Sequence, residues 1–144
     1  MRECTWGRGS TTVIDLYRWM TVAALCTFCV CSNAAEQAAL EREQLLELVS
    51  GKTALCRKEK DQSLCANWFA GDGVLQQVMQ DDDGRKQGRW FVDDQARLCI
   101  LWDGKLKPLC FAVFAQPDGS YNLLKNDRHI TTITGFEDGR TLRW

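Results

Sequence analysis

What the chain lacks narrows the classes of protein to which it can belong. It has one histidine in 144 residues, which removes most histidine-based metal sites and leaves little material for a catalytic triad. Two prolines and eleven glycines exclude a proline-rich linker or a collagen-like repeat. Its 18 basic and 19 acidic residues nearly balance, so charge gives no reason to expect nucleic-acid binding. The 45% apolar and 26% charged residues that remain are typical of one globular domain.

The first 34 residues differ from the rest of the chain and predict an export signal. Three arginines, Arg2, Arg8 and Arg18, precede an uncharged apolar run over residues 19–31. The segment Ser32-Asn33-Ala34 then supplies the small residues that signal peptidase recognises. The apolar run is shorter than the ~20 residues that span a bilayer, so a retained membrane anchor is the less favoured alternative. Cleavage after Ala34 would give an exported protein, periplasmic or secreted, with no stable membrane span.

Eight cysteines divide equally between this segment and the mature chain. Cys26, Cys29 and Cys31 have the spacing of a metal or redox motif, but inside the apolar run of an export signal they are expected to serve as small hydrophobes. The four that remain are Cys56, Cys65, Cys99 and Cys110. Disulfides are the expected state in an exported protein, and four cysteines leave three connectivities open. Proximity in sequence favours Cys56–Cys65 and Cys99–Cys110, each worth on the order of 2–3 kcal/mol. A zinc site is the rival interpretation, but these gaps are wider than zinc ligands usually show.

One of these pairs also predicts the register of a hairpin. A four-residue loop at Asp103–Leu106 would place Trp102 opposite Lys107 and Cys99 opposite Cys110. Directly opposed residues at a non-hydrogen-bonded site have Cα atoms about 4.5 Å apart, which a disulfide tolerates.

The mature chain begins with a predicted helix and continues as strands. Residues 35–50 gather leucines and Val49 toward one side, and Gly51 is a fitting C-terminal stop. From Lys52 onward the apolar period changes to two, and turn pairs such as Asp-Gly recur mostly 8–15 residues apart. The predicted strands lie near 53–57, 64–70, 73–80, 87–93, 96–102, 108–116, 120–125, 129–136 and 140–144.

These elements predict an all-β fold, a small antiparallel meander closed as a barrel or sandwich, with one N-terminal helix. Many short strands need protected edges, and either a closed barrel or two stacked sheets provides them. The expected organisation is a signal peptide over 1–34, a helix over 35–51 and a barrel or sandwich domain over 52–144.

Six short motifs lie between residues 48 and 136. They are Leu48-x-Ser50-Gly51-Lys52-Thr53, Trp68-Phe69-x-x-Asp72-Gly73, Gly88-Arg89-Trp90-x-Val92, Arg97-Leu98-Cys99-Ile100-x-Trp102, Cys110-Phe111 and Asp118-Gly119-x-Tyr121. This stretch resembles small exported proteobacterial proteins of unknown function. The resemblance implies a lipocalin-like or sandwich-like β domain and a pairing of Cys99 with Cys110, and it brings no catalytic residues. The Gly-x-Trp step is also similar to that of lipocalins, where it lies on the first strand, so lipocalin ligand binding is not carried over.

The candidate functional residues are few. His129 follows a solvated turn and is predicted to lie on the surface, and no nucleophile–base pair is evident. Trp68, Trp90 and Trp102 are the candidates for a ligand or partner surface, although aromatic residues at alternate strand positions are commonly core. We expect no catalytic residue, no cofactor and no metal.

Three functions stay open on the sequence alone. The favoured one is a non-enzymatic exported binding or interaction module with an unknown protein partner. The alternative is a carrier of a small apolar ligand in a barrel cavity, and an enzyme is the least favoured. An apolar void inside the barrel would favour the carrier, whereas a filled core would favour recognition at the surface.

Overall fold

The computed structural model describes residues 37–143, in which one short helix precedes eight strands. The predicted signal segment, residues 1–34, lies outside the described residues. The elements are α1 (Arg42–Val49), β1 (Lys52–Lys58), β2 (Leu64–Phe69), β3 (Val74–Met79), β4 (Asp82–Val92), β5 (Leu98–Trp102), β6 (Leu109–Ala115), β7 (Tyr121–Lys125) and β8 (Arg128–Asp138).

The strands form a closed antiparallel barrel. Each strand pairs with the next along the chain, and β8 returns to pair with β1. That last register runs from Lys52 opposite Asp138 to Lys58 opposite Thr131. The predicted all-β fold is confirmed, and the pairing of β1 with β8 selects the barrel over the sandwich. Closure leaves no strand with an unpaired edge.

The helix is shorter than the sequence predicts. It begins at Arg42, because the chain before it bonds to the barrel instead of to itself: the backbone N–H of Leu40 donates to the Val113 carbonyl at 2.8 Å. The Gln44 side chain then marks the start of the helix by accepting the Glu41 N–H at 2.8 Å.

Two strand predictions also need correction. Strand β4 begins at Asp82 instead of near residue 87, and its first six residues are exposed, so no apolar alternation marked them. The predicted strand at 140–144 is absent from residues 140–143, because the closed barrel offers no edge for a ninth strand. This tail lies beside β1 instead, where the Thr53 hydroxyl donates to the Gly139 carbonyl at 2.7 Å and accepts the Thr141 N–H at 3.0 Å.

The barrel has two different ends. At one, which we call the helix end, α1 packs its fully buried Leu45 and Val49 into the core. The Arg42 guanidinium fixes the helix there by donating to the Val92 carbonyl at 2.8 Å. The opposite end, which we call the mouth, is formed by the connections 59–63, 80–81, 103–108 and 126–127. No helix covers the mouth within the described residues.

Two disulfides join neighbouring strands. Cys56–Cys65 links β1 to β2 and Cys99–Cys110 links β5 to β6, with Cα atoms 4.9 and 4.0 Å apart. These are the pairs that proximity favours, and they indicate an oxidising environment. The predicted opposition of Cys99 and Cys110 is confirmed, but the predicted four-residue loop at Asp103–Leu106 is wrong. The pairing of β5 with β6 ends at Ile100 opposite Leu109, so Trp102 and Lys107 are not paired and the connection spans 103–108.

Candidate functional site: the mouth of the barrel

A cavity of about 360 Å³ lies inside the mouth. Its volume falls at the lower end of the roughly 300–1,000 Å³ typical of small-molecule sites. One side, which we call the polar wall, comes from β1 to β4 and comprises Lys58, Asn67, Gln77 and Lys86. The other side, which we call the apolar wall, comes from β5 to β8 and comprises Ile100, Trp102, Leu109, Phe111, Leu123 and Ile130. The cavity is therefore amphipathic from side to side.

The wall residues face inward because of the strand register. Gln77 lies opposite Asn67 on one neighbouring strand and opposite Lys86 on the other, so all three side chains point to the same face of the sheet. Ile100 lies opposite Leu109 on β6 and belongs to the same interior face. The alternation that fills the core near α1 thus continues to the mouth, where polar side chains replace apolar ones on one half of the barrel.

A short hydrogen-bonded chain fixes the two amides of the polar wall. The Gln77 Nε2 donates to Asn67 Oδ1 at 2.8 Å, and Asn67 Nδ2 lies 3.3 Å from the Cys56 sulfur. Both amides are buried, where an unpaired polar group would be costly. Among residues 37–143 no donor reaches the Gln77 side-chain oxygen, which leaves it able to accept a hydrogen bond from a molecule in the cavity.

The rim of the cavity is positively charged. Lys58, Lys60 and Lys86 line it together with a single acidic residue, Asp61. The Asp61 carboxylate accepts the hydroxyl and the backbone N–H of Ser63, at 2.6 and 3.0 Å. These bonds, with the charges of Lys58 and Lys60, hold the pKa of Asp61 below its ordinary value, so it is ionised at neutral pH. Three lysines against one aspartate leave a net charge of +2 on a chain whose overall charge is −1.

The three candidate tryptophans lie in different places. Trp102 lines the cavity and is half-buried at the mouth. Trp90 is buried in the core, where its ring meets Phe69 edge-on at 5.7 Å and its Nε1 donates to the Ala70 carbonyl at 2.8 Å. Trp68 lies opposite Thr53, on the outward-facing side of β2. Only Trp102 of the three is positioned to contact a molecule in the mouth.

The disulfides also lie on different sides of the wall. Cys65 lines the cavity, so the Cys56–Cys65 bond forms part of its surface. The sulfurs of Cys99 and Cys110 lie within 4.8 Å of the Asp93 carboxylate, a grouping that could suggest a metal site. These sulfurs are bonded to each other and offer no thiolate, and Asp93 already pairs with Arg97 at 2.7 Å. The group is structural.

A second polar cluster, on the outside of the barrel, contains the one histidine. The Thr132 hydroxyl donates to Glu59 Oε1 at 2.6 Å and lies 3.0 Å from His129 Nε2. Because its single proton goes to Glu59, the hydroxyl must accept its second bond from the histidine N–H. A histidine that donates to a hydroxyl cannot also remove its proton, so this arrangement does not activate a nucleophile.

The same hydroxyl bond makes stability depend on pH. The Thr132 bond, with the charges of His129 and Arg57, holds the pKa of Glu59 below its ordinary 4.5. A carboxyl group whose pKa is lower in the folded state stabilises that state above pH 4.5. This contribution is lost as the pH falls through the pKa of the folded state. We therefore expect Thr132→Val to destabilise at pH 7 and to differ less from the natural protein at pH 3.5, measured by urea denaturation.

The comparison variant is His129→Ala, which removes the other partner of the Thr132 hydroxyl and leaves the Thr132–Glu59 bond in place. Because the His129 side chain is exposed, we expect a smaller loss of stability than for Thr132→Val. A Thr132→Val effect that is the same at both pH values would contradict the role of the Glu59 carboxylate.

Sequence reasoning missed the residues of the polar wall and the lysines of the rim. Lys86 precedes the predicted start of its strand, but counting back by twos from Trp90 through Gly88 places it on the inward face. Asn67 and Gln77 lie within predicted strands, and only the register shows that they meet. The sequence feature that could have indicated this site is an inward-facing polar residue on each of three neighbouring strands. It can be recognised only when the strand order is known.

Comparison of the chain with models of protein families, with curated proteins and with solved structures finds no significant match. The fold and the site together define a class by geometry: an eight-stranded antiparallel barrel, covered by a helix at one end, with an amphipathic cavity at the other. In the part of the chain that the structure describes, no helix has the length and apolar character needed to cross a membrane.

Proposed function

We propose that this chain is a non-enzymatic, exported binding protein that holds a small ligand with an apolar body in the cavity at the mouth. The observation that carries the proposal is the combination of a filled core at the helix end with a cavity of about 360 Å³ at the mouth. A carrier needs such a void, whereas a module that works only through its surface has no use for one.

The apolar wall supports an apolar ligand body. Ile100, Phe111 and Leu123 are buried at the base of the cavity, and Trp102 and Leu109 continue the same surface to the solvent. Leu109 keeps 37% of its surface exposed, which a ligand could cover. Each 100 Å² of apolar surface that a ligand covers contributes about 2.5 kcal/mol before the costs of association.

Export and the absence of catalysis belong to the same proposal. The two disulfides favour an oxidising compartment, and the basic, apolar and small-residue order of residues 1–34 favours a periplasmic or secreted destination. The geometry of Glu59, Thr132 and His129 favours a structural role for the one histidine. The sequence motifs between residues 48 and 136 support kinship with small exported proteobacterial β domains.

A protein partner is the second candidate function, and one observation favours it. Leu106 is 98% exposed at the tip of the loop between Trp102 and Leu109, with Lys105 and Lys107 on either side. With Trp102 and Leu109 it lines one apolar surface beside the mouth, and an exposed apolar patch of this kind suits contact with another molecule that delivers or receives the ligand.

The test is titration with N-phenyl-1-naphthylamine, a neutral apolar probe that fluoresces when it leaves water. We expect saturable binding of one probe per chain. Ile100→Trp would fill the base of the cavity and abolish this binding, while Phe91→Trp, which places the same indole ring on the exposed face of the neighbouring strand, would preserve it. Thr131→Trp at the rim is the second blocking variant should Ile100→Trp not fold. Saturable binding that survives both blocking variants, or no saturable binding, would overturn the proposal.

A further inference from the structure

From the charge of the rim we propose that the ligand is an organic anion, whose headgroup the mouth lysines hold while its apolar body lies on the apolar wall. This inference rests on the proposed function and names the chemical class of the ligand.

The three rim lysines converge on the cavity from separate elements. Lys58 is the last residue of β1, Lys60 lies in the connection that follows, and Lys86 enters from β4 opposite Gln77. Among residues 37–143, none of the three has a carboxylate within 4.0 Å of its ammonium group. The ammonium groups that line the cavity therefore have no ion-pair partner in the described part of the chain.

The acidic residue of the rim offsets only one of these three charges. The Asp61 carboxylate accepts both donors of Ser63 and makes no ion pair within 4.0 Å with a described residue. Because the rim keeps two positive charges in excess, a cationic ligand would meet repulsion and an anionic one attraction. Of the three lysines, Lys58 is half-buried at the end of β1, so its attraction to a headgroup is screened less than on an open surface.

The two walls fix which way such a ligand would lie. A chain or ring system on Ile100, Phe111 and Leu123 would have its headgroup on the opposite side of the cavity or at the rim, next to Lys58 and Lys86. The Gln77 oxygen accepts only, so it suits a hydroxyl or amide N–H on the ligand and not its anionic group. The site thus separates charge recognition, at the rim, from apolar contact below.

The experiment measures competition against the neutral probe by three ligands of equal chain length: decanoate, 1-decanol and decyltrimethylammonium. We expect decanoate to compete at least tenfold better than the alcohol, and the cation to compete worst. In the double variant Lys58→Gln with Lys86→Gln, the preference for decanoate over the alcohol, measured against that variant's own affinity for the neutral probe, should fall to less than about threefold. Added salt should weaken decanoate binding in the natural protein and leave the alcohol unaffected.

Arg89→Gln is the control, matched in charge to the single variant Lys86→Gln on the same strand. It removes one positive charge from the exposed outer face of β4, three residues from Lys86, and should leave the preference for decanoate intact. Equal competition by decanoate and 1-decanol, or a preference for the cation, would overturn the inference and leave the proposed function standing. A protein that fails to bind the neutral probe would overturn the proposed function itself.

Discussion

Replacing Phe69 with alanine is expected to lower the free energy of unfolding by about 4 kcal/mol, the cost typical of deleting a fully buried aromatic side chain. Phe69 is 1% exposed, its ring meets Trp90 edge-on, and it lies at the end of β2 where α1 covers the barrel. The backbone N–H of Gly51 also donates to its carbonyl at 2.8 Å, which ties the end of the helix to this strand. Domains of this size are stabilised by only about 5–15 kcal/mol, so the loss is a large fraction of the total.

Urea denaturation at pH 7 measures this effect, and Phe91→Ala is its control. Phe91 lies on the outward face of β4 and is 41% exposed. Its replacement by alanine should lower the free energy of unfolding by less than about 1 kcal/mol. If the two substitutions lower the free energy of unfolding by the same amount, the side chains at the helix end do not form a filled core.

The contrast between the two ends explains how a barrel of this size can be both stable and hollow. The side chains at the helix end fill the interior, with Leu45 and Val49 supplied by α1. The mouth holds less apolar material and is braced by the Cys56–Cys65 bond and by the Asn67–Gln77 hydrogen bond. A covalent bond and a paired amide keep their geometry without filling the space between the walls, which a packed apolar core could not do.

Much of the fold could be predicted because the turns of this chain are marked by residues with a physical reason to be there. Gly73, Gly104 and Gly119 all have positive φ, which glycine adopts at no steric cost, and each follows an aspartate at a strand end. Alternation of apolar residues between those turns located all eight strands. The same reasoning favoured the opposition of Cys99 and Cys110, although the connection it assumed was too short.

The cavity could not be predicted, because it depends on quantities that alternation does not contain. The apolar positions Leu98, Ile100 and Trp102 share a face in the sequence, but only closure of the barrel shows that the first is core and the last lies at the mouth. Whether facing side chains fill the space between them depends on their summed volume and on the tilt of the strands, and neither follows from one strand alone. The start of α1 was mistaken for a similar reason, since Leu40 bonds to β6, far along the chain.

Gly88→Ala is expected to lower the free energy of unfolding by about 3 kcal/mol and to weaken binding of the neutral probe. Gly88 lies opposite Trp102 in the pairing of β4 with β5, and a methyl group on it would sit 2.9 Å from the Trp102 Cα and collide with the Leu101 carbonyl. These are backbone atoms that no side-chain rotation can move away, so the two strands must separate, a strain of the size seen in overpacked cores. Since Trp102 forms part of the apolar wall, the same displacement alters the cavity.

Gly135→Ala provides the comparison, because it adds the same methyl group to another strand of the barrel. A methyl group at Gly135, in β8, would meet no atom of the described residues within 4 Å, and the residue does not have a positive φ. Reduced freedom of the unfolded chain should then stabilise the protein by about 0.4–1 kcal/mol. Thermal or urea unfolding of both variants, with probe titration of each folded protein, distinguishes the cases. If Gly88→Ala were as stable as Gly135→Ala and bound the probe equally well, the close approach of β4 to β5 would not be what shapes the mouth.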